Sequence, residues 1–428
     1  MGTDTSDSHS SGSGLDPALP RDASRHLMIF SYWFPPANAV GSSRPLAMAR
    51  HFAARGWRVT VIAGAAQAVP PSFEADLTGF DVHYVPDGWL TRRSSFKAER
   101  GVAAQRLTTT LRLLAWPDNI RPVARAMRRR GLALLSGLPP PDVVLSTALP
   151  FSVHGAARDV ARAAGALFVA DNRDIWAGNP YKWTAPFYTS LDRLHEAATL
   201  SAADLVVSVS EGMSAHYRTR YPDLSDRVVT VMNGVDARPA AATPFRRDPA
   251  GLRLAYTGIL YGERRDTRPL LRAAQRLGLP VSIDFYGSEP EIVRQLAAEF
   301  PGLAITDRGR VPRDAALRAQ AEADALILVV GTDPWEDTLL PGKLFEYAGS
   351  GRPIVALANS ESDSGRVITR YGLGIASIDE EEIANFLARL AAEGCESRAA
   401  APRDLTRGHQ LGLLEARLVH MLALRTTA

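Results

Sequence analysis

The chain has one cysteine, Cys395, in 428 residues, so no intrachain disulfide can form and a reducing compartment is expected. It has no apolar run of about 18 residues, which argues against a membrane-spanning helix. The opening stretch MGTDTSDSHSSGSGLDPALP has neither a basic lead nor an apolar core and does not read as a secretory signal. No H-E-x-x-H and no paired Cys/His motif occurs, so a zinc site has no support. No G-x-G-x-x-G follows the first strand-like run, which argues against a dinucleotide oxidoreductase. Charge of one sign is lacking too. The 49 Lys and Arg nearly balance the 46 Asp and Glu, and the net +3 gives no case for nucleic acid.

What remains is a soluble globular composition, 46% hydrophobic and 22% charged, long enough for two or three domains. The charge is unevenly placed. Eleven Lys and Arg lie between Arg92 and Arg130, opposed only by Glu99 and Asp118. Such a field attracts phosphates or anionic lipid. Within it Ala103, Leu107, Leu111 and Leu114 fall at helical spacing, with Trp116 after them and Arg128, Arg129 and Arg130 at the end. The spacing fits an amphipathic helix on an anionic membrane surface, or equally a solvated basic helix packed on a sheet through its leucines.

Residues 1–24, rich in Ser, Gly, Asp and Pro, read as a flexible tail. From His26 the pattern is strand, glycine-bearing loop, helix (Ser43 to Ala54), strand (Arg58 to Ala63), the βαβ unit of a parallel sheet. Short β-branched runs without polar alternation recur at 142–147, 166–171, 204–210 and 227–233 and predict buried parallel strands. A second series at 252–258, 281–287, 303–306, 325–330 and 353–358 alternates with helical stretches at 266–278, 289–300, 313–321 and 342–350. The class is therefore α/β, with two doubly wound Rossmann-like domains, 25–236 and 237–402, joined near Asn233-Gly234-Val235-Asp236. Residues 403–428 read as a terminal helix, with Leu411, Leu414, Leu418, Met421 and Leu422 on one face, able to pack back on the first domain. Ligands of open α/β sheets bind at the carboxyl ends of the strands, so site residues are sought in the loops after strands.

The strongest chemical signal is Leu340-Pro-Gly-Lys-Leu-Phe-Glu-Tyr-Ala-Gly-Ser-Gly-Arg-Pro353. A proline suits the start of a helix and glycines suit its end. Lys343 and Glu346 share a face, and a lysine in the first turn of a helix makes an anion site. A carboxylate one turn on can accept the two hydroxyls of a ribose, so the pair describes a nucleoside diphosphate lying along the helix start. The same two residues also fit an ordinary surface Lys–Glu pair.

At these residues the sequence resembles the large retaining glycosyltransferase family 4, with its two-domain GT-B fold. The resembling segments are FPPANAVGSSRPLAMARHFAARGWRVTVIAG, FVADNRDIW, ADLVVSVSEGM, VTVMNGVD, LAYTGIL, DRGRVPRDAALRAQAEADALILVV and LPGKLFEYAGSGRPIVA, in the family's order from residue 34 to 358. The NRDIW and PGKLFEYAGSG forms resemble the branch found among polysaccharide and cell-envelope gene products. The absence of any Asp-x-Asp argues against the metal-dependent, single-domain type of glycosyltransferase.

The resemblance implies a nucleotide-sugar donor, no cofactor or metal, and a glycan or lipid-linked acceptor, with the enzyme cytoplasmic or peripheral on the inner face of the membrane. It places Gly41 beside the donor phosphate. It places Gly258, Arg264 and Arg265 at the diphosphate, the main chain of Arg310 and Val311 at the base, and Lys343, Leu344 and Glu346 along the donor. Glu346 matches the second glutamate of the family's E-x7-E motif, whereas the first position is Thr338, with Glu336 and Asp337 beside it. Arg173-Asp174 stands where many members have His-Asp. The pair is expected either to act on sugar or acceptor, or to form a structural ion pair. Arg128, Arg129 and Arg130 fall on the acceptor or membrane side. Two alternatives stay open: a nucleotide-sugar 2-epimerase of the same fold, and a non-catalytic relative that binds a nucleotide sugar or a partner.

Overall fold

A computed structural model of the chain describes residues 25–65, 73–87, 116–179, 186–236, 251–260, 265–331, 333–393 and 401–427. The expected tail 1–24, the leucine-spaced stretch 103–114, the linker after Asp236 and Arg264 lie outside the described residues.

The first sheet contains β1 (His26–Ser31), β2 (Arg58–Gly64), β3 (Asp81–Val85), β4 (Val143–Ala148), β5 (Leu167–Asn172), β6 (Leu205–Ser208) and β7 (Val228–Thr230). Their order is β3-β2-β1-β4-β5-β6-β7, every pairing parallel. The second sheet contains β8 (Leu252–Thr257), β9 (Val281–Tyr286), β10 (Ala304–Gly309), β11 (Ala325–Gly331), β12 (Ile354–Ala358) and β13 (Gly374–Ala376). It runs β10-β9-β8-β11-β12-β13, again parallel throughout. Each order reverses once, between β1 and β4 and between β8 and β11, and those reversals open the crevices where ligands of such sheets bind.

Helices cover both faces of each sheet, which is why the central strands read as continuous apolar runs. Around the first sheet lie α1 (Ser43–Ala54), α2 (Arg121–Leu134), α3 (Ser152–Ala164), α4 (Pro186–Ser201) and α5 (Glu211–Arg220). Around the second lie α6 (Arg268–Gln275), α7 (Pro290–Glu299), α8 (Arg313–Glu322), α9 (Gly342–Ser350), α10 (Asp363–Arg370) and α11 (Glu380–Glu393), and α12 (Arg407–Thr426) closes the chain. Met28, Phe30, Val144 and Phe168 pack with Met127 of α2 and Val160 of α3, while Leu27, Ile29, Val143 and Val169 pack with Phe52 of α1. Two edge strands were not foreseen. In β3 only Val85 is buried, and β13 is three residues long, so neither carries the apolar run that marks a central strand.

Where the chain returns from the second domain, Arg403–Leu405 forms a 3-10 turn, and α12 starts only after Thr406, whose hydroxyl accepts from His409 N at 3.4 Å. Leu411, Leu414 and Leu418 of α12 are buried in the core of the first domain. At about 1.5–3 kcal/mol for each buried leucine, the helix belongs energetically to that domain. Glu415 completes the dock, accepting from Trp57 Nε1, His51 Nε2 and Arg55 Nε, each at 3.1 Å. The two strands of chain between domains run side by side: Val235 N donates to Leu405 O at 3.0 Å and Arg407 N to Val235 O at 2.8 Å.

The carboxyl-end loops of the two sheets meet. Ser210, after β6, donates its hydroxyl to Thr338 O at 2.7 Å, and Gly212 N donates to Asp363 Oδ2 at 2.8 Å. A Cβ on Gly212 would sit 2.6 Å from that carboxylate, so glycine is what lets the start of α5 come this close. Trp335 of the second domain packs against the first domain's core.

Candidate functional site

A cleft of about 350 Å³ lies at the carboxyl ends of β8 to β10, lined by Thr257, Gly258, Tyr286, Gly287, Arg310, Val311, Arg313, Ala316, Lys343 and Glu346. Five residues expected from sequence to hold a donor therefore share one cavity: Gly258, Arg310, Val311, Lys343 and Glu346. The helix α9 explains their placement. Pro341 precedes it in extended conformation, Gly351 ends it at φ 74°, and Leu344, Phe345, Tyr347 and Ala348 bury its other face in the core. That leaves Lys343 and Glu346 toward the cleft. The side chain of Leu344 is fully buried in the core, so only its main chain is placed at the helix start beside the cleft.

Lys343 and Glu346 do not pair as a surface salt bridge. The Lys343 ammonium donates to Tyr256 Oη at 3.1 Å and sits 4.3 Å from the centre of the Tyr256 ring. Burial, and then the nearby charge of Arg265, pull its pKa down to about 8, against the opposing pull of Glu346. Gly258 is at φ 126°, and a Cβ there would overlap Lys343 Nζ, so the glycine keeps open the space that the ammonium fills. Glu346 Oε1 accepts from Gln320 Nε2 at 3.0 Å, and Oε2 faces Arg313 Nη2 at 3.5 Å. A compact cation and a carboxylate, held apart on one wall of a cleft, offer complementary ends to a ligand that carries both phosphate and hydroxyl groups.

The first-domain residues have a different character. Arg173 donates Nε to Ala148 O at 2.6 Å, Nη1 to Gly41 O at 2.9 Å and Nη2 to Leu149 O at 3.1 Å. It thus ties the loop after β1 to the loop after β4, across the crevice where the strand order reverses. Gly41 lies under it, and a Cβ there would meet Trp33 at 2.8 Å and Arg173 at 3.0 Å. Among the described residues no ion pair closes between Arg173 and Asp174, which corrects the expected structural pair. Burial raises the Asp174 carboxyl above its usual range, partly offset by Arg173.

The buried ion pair near this point is instead Arg44 with Asp171, 2.7 Å apart, and Arg44 also donates to Val231 O at 2.9 Å. Sequence reading had passed over Arg44. His154 is fully buried and spans Ser146 Oγ at 2.7 Å and Asn172 Oδ1 at 3.3 Å. Burial holds its pKa down to about 4, so it stays neutral inside the fold.

On α2, Arg128 pairs with Asp159 at 2.7 Å and Arg130 contacts His83 Nδ1 at 2.9 Å, while Arg129 is exposed. Among the described residues no helix is long and apolar enough to cross a membrane. Thr257 and Arg313, which line the cleft, and Tyr256 and Gln320, which contact Lys343 and Glu346 from behind it, are among the residues that sequence reading missed. Each lies in a strand or helix that reads as plain structure, and only the register of β8 and α8 against α9 brings them to the site.

Residues 45–238 match the family model for Glycosyltransferase Family 4. This stretch is similar to that family. The match covers the first domain from α1 onward, and the second is recognised through its fold. The catalytic domain of starch synthase IV from Arabidopsis thaliana, solved with ADP and acarbose, superposes with a TM-score of 0.60 at 12% identity, over 94% of this chain and 99% of that one. The lipopolysaccharide outer core galactosyltransferase WaaB superposes at 0.55 and 11% identity, over 94% and 99%. Anabaena HepE, solved with UDP and glucose, gives 0.53 and 10%, over 94% and 98%. No curated protein matches the sequence. At these identities the likeness establishes the fold: this chain has the two-domain GT-B arrangement that its βα series predicted.

Proposed function

We propose that this chain is a family 4-like glycosyltransferase that moves a sugar from a nucleoside-diphosphate donor to an acceptor, with retention of configuration. The observation that carries the reading is the second-domain cleft, where a half-buried Lys343 and a tethered Glu346 lie on one helix face beside Arg310 and Val311. In this reading Lys343 and Arg265 meet the charge of the diphosphate in place of a metal ion. Glu346 accepts the ribose hydroxyls, and the 310–311 turn reads the base through main-chain groups. The leaving diphosphate gathers negative charge as the glycosidic bond breaks, and an ammonium already desolvated at that place stabilises it without reorganisation. Arg173 shapes the acceptor-side crevice through the loops that it ties, and Asp174 faces the sugar or acceptor.

We take the acceptor to be a glycan or a lipid-linked glycan of the cell envelope, reached from the cytoplasmic face, with the basic surface of α2 against anionic lipid. The epimerase alternative needs a histidine in the cleft, and His154, fully buried between Ser146 and Asn172, does not supply one. The test is a thermal-shift panel of nucleoside diphosphates and their sugars, followed by donor turnover with the sugar that binds. A ligand specific to the folded state raises the midpoint. Slow donor hydrolysis without acceptor supports the transferase, release of a free 2-epimer supports the epimerase, and binding with no turnover under any acceptor leaves a nucleotide-sugar binder.

A further inference from the structure

Gln320 is almost completely buried on α8, at 1% exposure, yet it is polar and lies beside the donor cleft. Its side-chain nitrogen donates to two oxygens at once, Thr257 Oγ1 at 3.0 Å and Glu346 Oε1 at 3.0 Å. The Thr257 end is itself fixed. Thr257 N donates to Tyr347 Oη at 3.0 Å, and the two hydroxyls lie 3.2 Å apart. Tyr347 is fully buried on the core face of α9, one residue after Glu346. A closed circuit results: α9 to β8 through Tyr347, β8 to α8 through Thr257, and α8 back to α9 through Gln320. On the far side of the carboxylate, among the described residues, Arg313 is the ion-pair partner, a side chain 73% exposed at 3.5 Å. The buried amide therefore sets the position of Glu346.

We propose that Gln320 is the positioning residue for ribose recognition: it holds Oε1 of Glu346 so that the carboxylate's remaining lone pairs face the two ribose hydroxyls. This rests on the nucleoside-diphosphate reading of the cleft. A carboxylate has about four acceptor sites, of which the Gln320 amide occupies one and leaves enough for two hydroxyls. The orientation also needs a donor at this spot. An acceptor there would repel the carboxylate, and an apolar side chain would leave it to swing toward Arg313.

The experiment measures binding of UDP and ADP, and of their 2′,3′-dideoxy forms, to the full chain and to Gln320→Met by titration calorimetry, with melting curves to confirm folding. The wild type is expected to prefer the ribose form by roughly tenfold or more, the scale of hydrogen bonds to a charged group. In Q320M that preference falls to within about twofold or threefold, on the same scale, while affinity for the dideoxy form is unchanged. A merely structural role would weaken both forms together. An unchanged ribose preference in folded Q320M overturns the inference and leaves the nucleotide reading intact. Wild-type binding without any ribose preference, or no nucleotide binding at all, overturns the reading beneath it as well. Should Q320M fail to fold, Thr257→Val, which cuts the other tether of the same amide, is expected to lower the ribose preference partway, and an undiminished preference there counts against the proposal.

Discussion

Under the proposed function, Lys343 should make nucleotide binding depend on pH in a direction set by its pKa. Burial and Arg265 bring its pKa to about 8 in the empty cleft. A bound diphosphate is an opposite charge at close range and restores the ammonium, raising the pKa toward or beyond the ordinary lysine value of about 10.4. Above pH 8, binding therefore takes up a proton, and affinity falls as pH rises. With a free-state pKa of about 8, Lys343 is about 90% protonated at pH 7 and about 10% at pH 9. The dissociation constant should rise about tenfold over that interval, a loss of about 1.4 kcal/mol. Guanidinium groups do not titrate there, and a phosphate's second ionisation, near pH 6, is already complete. The assay is calorimetric titration of UDP and ADP from pH 7 to 9.5 in buffers of different ionisation enthalpy, which also counts the protons taken up. Lys343→Met should bind more weakly at pH 7 and show no slope. A flat wild-type profile, or an equal slope in the methionine variant, would refute the placement of this ammonium against the diphosphate.

The other predictions concern the first domain. Arg173→Met removes the guanidinium that holds Ala148 O, Leu149 O and Gly41 O, and should cost about 2–4 kcal/mol in urea denaturation. Arg173→Lys should recover only part of that loss, because one ammonium cannot fork to three carbonyls, and wild-type stability in both variants would show that the tie is idle. Glu415→Gln should destabilise by about 1–3 kcal/mol at pH 7. Although burial works to raise the Glu415 pKa, hydrogen bonds from His51 and Trp57 and the charge of Arg55 leave it below the usual value. This stabilisation is present above the unfolded pKa and is lost as pH falls through the lowered folded one, so the gap between variant and wild type should close as pH drops below the ordinary carboxylate range. Reversing Arg128, Arg129 and Arg130 to Glu should lower binding to vesicles containing anionic lipid, with added salt doing the same to the wild type. Equal binding to neutral and anionic vesicles would remove the membrane role.

The fold was readable because buried parallel strands have an unmistakable pattern. LMIF, VVLST, LFVAD and ALILVV are apolar on both faces, and each is followed by a glycine- or serine-bearing loop and a helix. The edges were not readable: DVHYV in β3 is half solvent-facing, and its polar residues hide the strand. In the site, the residues of α9 could be named because its start and end are written in Pro341 and Gly351 and its polar face in Lys343 and Glu346. Gln320 and Thr257 could not, since nothing in RDAALRAQAE marks one glutamine as buried. That follows from α8 lying over β8, a contact between segments more than sixty residues apart in sequence.

Thr338 and Arg173 are two of the positions where the sequence departs from the family pattern, and the structure gives both a comparable local use. Thr338 lies in the loop after β11, between Glu336, whose carboxylate turns back against Gly331, and α9. Its carbonyl accepts the Ser210 hydroxyl, and its methyl would lie 3.0 Å from a Cβ on Gly212. A longer, charged side chain at 338 would meet the start of α5, so the small residue goes with the close approach of the two domains. Arg173 makes the matching contact inside the first domain, giving its donors to main-chain oxygens. Each departure joins loops at the carboxyl end of a sheet. Under the proposed function the chemistry then falls to the Lys343 ammonium and the Glu346 carboxylate in the second-domain cleft and to the Asp174 carboxyl with its raised pKa.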